Sequence, residues 1–205
     1  MTDVNELAYH SHYNRVLKMY TEICEQYGLE PSAEAVRCFG VAGSFSVKYL
    51  ILKQELRKLI NEQILPVWLS EIPEYFDAAE VDEAKVIVTT ALDGIPEESY
   101  EIFTKSFNML RKLNDGHIGN VKKHIINDIR IMSLNEVVTN YDFVFHSKFG
   151  DALLREVFEE VRENSKISPE VKAYFEIREK VKKQKSAESK QQSKDERGGV
   201  ELEPV

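Results

Sequence analysis

The sequence predicts an all-α protein: a compact multi-helix bundle of seven to nine short-to-medium helices, followed by a disordered C-terminal tail. Three observations carry this. Apolar residues recur in steps of three and four along most of the chain, the spacing of one helix face. The 9 glycines and 6 prolines fall mostly between the periodic segments. The single β-branched run, Val86 to Thr90, has no second strand-like run to pair with.

Composition sets the class. Hydrophobic residues make up 42% of the 205 residues, enough to build a core. Charged residues make up 30%, and no stretch of about 18 apolar residues is present, so no transmembrane helix is expected. Met1 to Glu6 carries no basic or apolar leader, so no secretory signal is expected. Cys24 and Cys38 cannot form a disulfide framework. The expectation is a cytoplasmic protein with one helical domain over 3–183 and a charged tail over 184–205.

The first helix is expected from Asp3, where Asp3 and Glu6 have capping-box spacing. Its stripe runs Tyr9, Tyr13, Val16, Leu17, Tyr20, Ile23, Cys24, Tyr27, and Gly28 stops it. A short helix follows Glu30-Pro31-Ser32 and reaches about Ala42. The next carries Phe45, Tyr49, Leu52, Leu56 and Leu59 on one face, with Lys53, Glu55, Arg57 and Lys58 largely on the other. Pro66 ends or kinks it. Pro66 to Phe76 reads as a short helix or a broken turn.

Asp77 and Glu80 repeat the capping-box spacing before a segment that ends at Asp93-Gly94. Its Val86–Thr90 run fits a strand, but the alanines, acids and leucine around it favour helix. Pro96-Glu97-Glu98 starts another helix, with Tyr100, Phe103, Phe107 and Leu110 inward and Asn114-Asp115-Gly116 as its end. Asn120 begins the next, with Val121, Ile125, Ile129 and Met132 inward. Ser133 and Glu136 form a further capping box before Leu134, Val137, Val138, Tyr141, Val144 and Phe145. Phe149-Gly150 breaks the chain, and Asp151 caps an amphipathic helix holding Leu154, Val157, Phe158 and Val161. Ser168-Pro169-Glu170 starts the last helix, anchored by Val171, Tyr174, Phe175 and Val181. The tail beyond holds too few apolar residues to offset its ordering entropy. No 20- to 50-residue repeat suggests a solenoid.

No local motif defines a reaction. The chain has no phosphate-binding glycine loop, no nucleophile elbow and no His-Glu-x-x-His. It has no Glu-x-x-His, which a di-iron bundle needs on two helices. His124 and Asp128 share a helix face, but two ligands make no metal site, and a surface role is the simpler reading. His10 and His12 point in different directions. Cys24 and Cys38 read as small core residues rather than nucleophiles. Gly40-Val41-Ala42-Gly43 has the spacing of a phosphate-clamping loop, yet its inner residues are apolar, and a close helix–helix contact or a helix break explains it better. No cofactor, metal or catalytic residue is expected.

Charge is the most informative feature. Glu71 to Glu101 holds ten acidic residues and one base, Lys85, so it carries −9 and leaves +1 for the rest of a chain with net charge −8. Lys105 to Arg130 and Lys166 to Arg197 are locally basic, each at +4. The leading expectation is a non-enzymatic protein–protein interaction or regulatory adaptor module. Its candidate surface is Lys105, Lys112, Lys122, Lys123 and Arg130, with Tyr9, Tyr13 and Tyr20 as packing residues or a partner groove. Solvated helix faces are the simpler reading of these charges, and on the sharper one the acidic belt repels phosphate backbones or docks a basic partner while the basic stretches attract an acidic one. Association with nucleic acid through the basic stretch and tail is the alternative. A small-molecule or lipid-binding bundle lined by tyrosines is the third.

Overall fold

The computed structural model describes residues 4–93 and 97–181. Helix is the only regular secondary structure among these residues. The elements are α1 (Val4–Tyr27), α2 (Ala33–Arg37), α3 (Phe45–Leu59), a π turn (Ile60–Ile64), α4 (Leu65–Tyr75), α5 (Val81–Leu92), α6 (Glu97–Asn114), α7 (Ile118–Ile129), α8 (Leu134–Phe145) and α9 (Gly150–Glu163). Helical backbone over 169–181 forms α10. The cap expected at Asp3, the stop at Gly94, the start at Pro96 and the tail over 184–205 lie outside the described residues. The chain divides into two compact units after Phe107, within α6.

In the first unit α1 packs along α3, α2 leans on α3, and α5 packs on α4. The stripe expected on α1 is largely internal: Tyr13, Val16, Tyr20, Ile23 and Cys24 are buried. Leu52, Leu56, Leu59, Ile60, Ile64, Trp68 and Ile72 are buried in the same unit. Trp68 stacks on Phe107 with ring centroids 5.0 Å apart and planes 8° apart. Its indole N–H donates to the Tyr27 hydroxyl at 2.6 Å. The buried positions of α5 are Ala84, Val88 and Leu92, spaced by four, so the β-branched run is helical.

Two connections differ from expectation. α2 ends at Arg37 rather than near Ala42, because the chain turns through Gly40 and Gly43 with φ of +85° and +92°. Such backbone is open to glycine without steric cost. Pro66 does not end the helical run. The N–H of Leu65 reaches back to the carbonyl of Ile60, a five-residue π step, and Pro66 then stands in the first turn of α4, where a missing N–H costs nothing. The run from Pro66 is thus a true helix rather than a broken turn, and it ends at Tyr75, two residues after Pro73. The Asp77–Glu80 capping box does not form. Backbone N–H of Glu80 bonds the carbonyl of Asp77 at 2.8 Å, making a turn before α5 begins at Val81.

The second unit holds the end of α6 and α7 to α10. α9 packs on α7 and α8. Val121, Ile125, Ile126, Ile129, Val137, Tyr141, Val144, Phe145, Val157, Val171 and Phe175 are buried. α7 starts at Ile118, two residues before Asn120. The Ser133–Glu136 capping box forms in full. Val181 is 46% exposed and anchors nothing. Asp151 is not the cap of α9 but lies in its first turn, behind Gly150.

Gly150 is a glycine for reasons of space. A Cβ built there would fall 1.7 Å from the Phe145 carbonyl oxygen, which is backbone and cannot swing away. Gly150→Ala is therefore expected to cost about 1–3 kcal/mol in urea unfolding, the scale of an overpacked core. At Gly119, inside α7, the same Cβ meets nothing within 4 Å. Gly119→Ala is expected to leave stability unchanged or raise it by about 0.5 kcal/mol.

Candidate functional site

Of the tyrosines proposed for a partner surface, only Tyr9 faces solvent. Tyr13 and Tyr20 are buried and cannot meet a partner, because their hydroxyls serve the chain itself. Tyr13 donates to the carbonyls of Cys38 at 3.0 Å and Gly40 at 3.1 Å. Tyr20 accepts the backbone N–H of Ser32 at 3.0 Å. α1 thus fixes the start and the end of α2. Tyr9 stands beside Tyr49, 5.9 Å between centroids, in a shallow open groove with Ala8 and His12.

Among the described residues of this unit, three charged side chains are buried, all at helix junctions. Lys48 donates to the carbonyl of Gly40 at 2.7 Å and lies over the rings of Tyr13 and Phe45 at 5.5 and 5.6 Å. Glu55, expected on a solvated face, accepts from Lys58 at 2.6 Å and from the Ser32 hydroxyl at 2.7 Å. The bond from Lys58, then that from Ser32, holds the Glu55 carboxyl below its ordinary range. Glu97 takes Lys53 at 3.1 Å and the Tyr49 hydroxyl at 3.2 Å. Charges removed from water need such partners.

These contacts split the acidic belt. Its later members are engaged: Glu97 with Lys53, Glu98 and Glu101 with Arg15 at 2.6 and 3.5 Å, and Asp93 with Arg57 at 3.8 Å. Among the described residues, Asp82 and Glu83 on α5 and Asp77 before it are exposed with no ion-pair partner. α5 buries one face, through Ala84, Val88 and Leu92. Its opposite face carries Asp82, Glu83, Val86, Ile87 and Thr90. Val86 is 62% exposed and Ile87 46%. The result is an apolar pair framed by unneutralised carboxylates on one rigid helix.

The basic candidates are divided between the two units. Lys105 lies in the first unit and pairs with Glu101 at 3.2 Å. Lys112, Lys122, Lys123 and Arg130 lie in the second. Lys122 pairs with Glu156 at 3.4 Å, and Arg130 bonds Asn127 at 3.3 Å. Lys112 and Lys123 are exposed. Asp128 faces His124 at 3.7 Å and accepts the buried Tyr141 hydroxyl at 2.6 Å. Burial and that carboxylate push the Tyr141 phenol well above its usual value. No cluster of three or more metal-ligating side chains occurs among the described residues. Cys24 and Cys38 are buried free thiols, and burial pushes both upward, away from nucleophilic thiolate. No helix among the described residues is long and apolar enough to cross a membrane.

Compared with known proteins, the chain matches no family model, no curated protein sequence and no solved structure.

The Ser32 hydroxyl caps α2, accepting from Ala35 N–H at 3.1 Å, while donating to Glu55. Ser32→Ala removes both, and a loss of about 1–2 kcal/mol is expected in denaturant melts. The Glu55 carboxyl lies lower folded than unfolded. Its contribution is thus present above an unfolded value of about 4.3 and fades as pH falls through the folded value. Ser32→Ala should shift that acid limb of the stability profile toward higher pH, read by thermal melts between about pH 3 and pH 6.

Proposed function

We propose that the protein is a non-enzymatic helical interaction module and that the outward face of α5 receives a basic, partly apolar segment of another protein. The observation that supports this reading is the pairing of exposed Val86 and Ile87 with the unpartnered carboxylates of Asp82 and Glu83. Apolar side chains at four-residue steps inside, and a second apolar pair outside, leave α5 with more hydrophobic surface than its own packing uses. A helix face of this kind supplies a hydrophobic centre with a charged rim. The carboxylates would speed encounter with a cationic partner and set its orientation, while Val86 and Ile87 supply the water-excluding contact. Nucleic acid is disfavoured at this face by the same charges. A regulatory or adaptor role follows if the module joins such a partner to a second one.

The reading is tested with a photoreactive residue in place of Val86, and a matched control in place of exposed Glu25 on α1. A partner cross-linked in cells from position 86 and not from 25 is expected, and a cationic helical peptide should bind the purified chain with affinity that falls steeply with salt. Val86→Asp with Ile87→Asp should leave the melting temperature near that of the parent and weaken binding at least about tenfold. Equal cross-linking at both positions, or peptide binding untouched by the double substitution, overturns the assignment.

A further inference from the structure

α10 is joined to α8 by four polar side chains. Asp142 and His146 stand one turn apart on α8, and Tyr174 and Arg178 one turn apart on α10. The Tyr174 hydroxyl donates to Asp142 Oδ1 at 3.0 Å, and Arg178 Nη2 lies 3.5 Å from the same oxygen. His146 Nδ1 lies 2.8 Å from the backbone carbonyl of Asp142 and 3.2 Å from its Oδ2. The other ring nitrogen, Nε2, is 3.3 Å from Arg178 Nη1.

A guanidinium can only donate. Nε2 must therefore accept, which imidazole does only when neutral with its proton on Nδ1. The two oxygens facing Nδ1 select that same tautomer. A second proton can only go to Nε2. It would turn the acceptor for Arg178 into a donor and set two cations 3.3 Å apart. Arg178 would keep only its longer contact to Asp142.

We propose that His146 is a proton-operated latch on α10: neutral, it holds the Arg178 end of the helix on α8, and protonated, it pairs with Asp142 alone and frees that end. The charged groups acting on the ring are Asp142 from its own helix and Arg178 from α10. Apolar contact continues through Phe175, which packs edge-on against Phe145 at 5.6 Å, so the helix loosens without leaving. The bond to Asp142 holds the His146 ring above its ordinary value of about 6.5, with burial opposing. In α8 the gain at Asp142 thus exceeds the loss at Arg178. A folded value above the unfolded one adds stability that is full at low pH and is lost as pH rises through the folded value. The contribution of His146 to stability and the docking of the Arg178 end of α10 therefore respond to acid in opposite directions.

The test is backbone amide exchange of the full chain at about pH 5.5 and about pH 8, corrected for intrinsic rates, since these values bracket the imidazole titration. Protection over 171–181 is expected to fall about fivefold at the lower pH, the scale of one lost hydrogen bond. His146→Gln, whose amide oxygen accepts from Arg178 at either pH, should abolish the difference, and His124→Gln should preserve it. Equal protection at the two pH values in the parent chain, or an undiminished difference in His146→Gln, overturns the latch. Nitrogen NMR of the unaltered protein gives an independent reading: at high pH the His146 proton is expected on Nδ1, and finding it on Nε2 overturns the proposal.

Discussion

The first unit depends on the burial of one indole. Trp68 is fully enclosed, and it is the largest side chain to be so. Enclosure obliges its N–H to find an acceptor, because an unpaired buried donor costs about 1–3 kcal/mol. The Tyr27 hydroxyl supplies it, which fixes the end of α1 against α4. The ring face lies flat on Phe107, which fixes α6 to the same point. Polar and apolar demands of one side chain thus set the register of three helices. The junctions at Lys48, Glu55 and Glu97 then lock the remaining elements around it.

Helix positions were largely legible in the sequence because each depends on a short span. The run from Val86 to Thr90 looked strand-like by residue type. The helix-favouring residues around it and the lack of a partner strand pointed the other way, and the structure buries Ala84, Val88 and Leu92 on one helical face. Capping patterns were less dependable. Ser133 with Glu136 and Asp77 with Glu80 have identical spacing, but only the first forms a box. At Asp77 the backbone uses its own carbonyl to close a turn, and the side chain is left outside. Local pattern names the candidates, and the path of the chain into the helix chooses between them.

The functional surface was legible only in part. The acidic belt is plain in composition. Which of its carboxylates remain open is not, because Glu98 is engaged by Arg15, 83 residues away. Glu55 reads as a solvated residue until Ser32, 23 residues earlier, is brought to it. Asp142 and His146 are visible as a helical pair, but their meaning comes from Arg178 on another helix. The tyrosine stripe left packing or a partner groove open, and burial decides it for two of its members. Tyr13 and Tyr20 have the residue type of an interface and the position of a core. Charge and amphipathicity therefore indicate where function can reside, and long-range pairing decides what remains available for it.

The π turn at Ile60–Ile64 has a geometric consequence for the long helical run through α3 and α4. One row of its buried positions steps by four: Leu52, Leu56, Ile60, Ile64, Trp68 and Ile72. On an ideal α-helix each such step overshoots a full turn by about 40°, so the row would spiral off its partner. The wider π turn takes up part of that excess and winds the row back. The extra residue acts as a phase correction, and it lets one continuous rod keep a single hydrophobic edge over a length that uniform α-helix could not align.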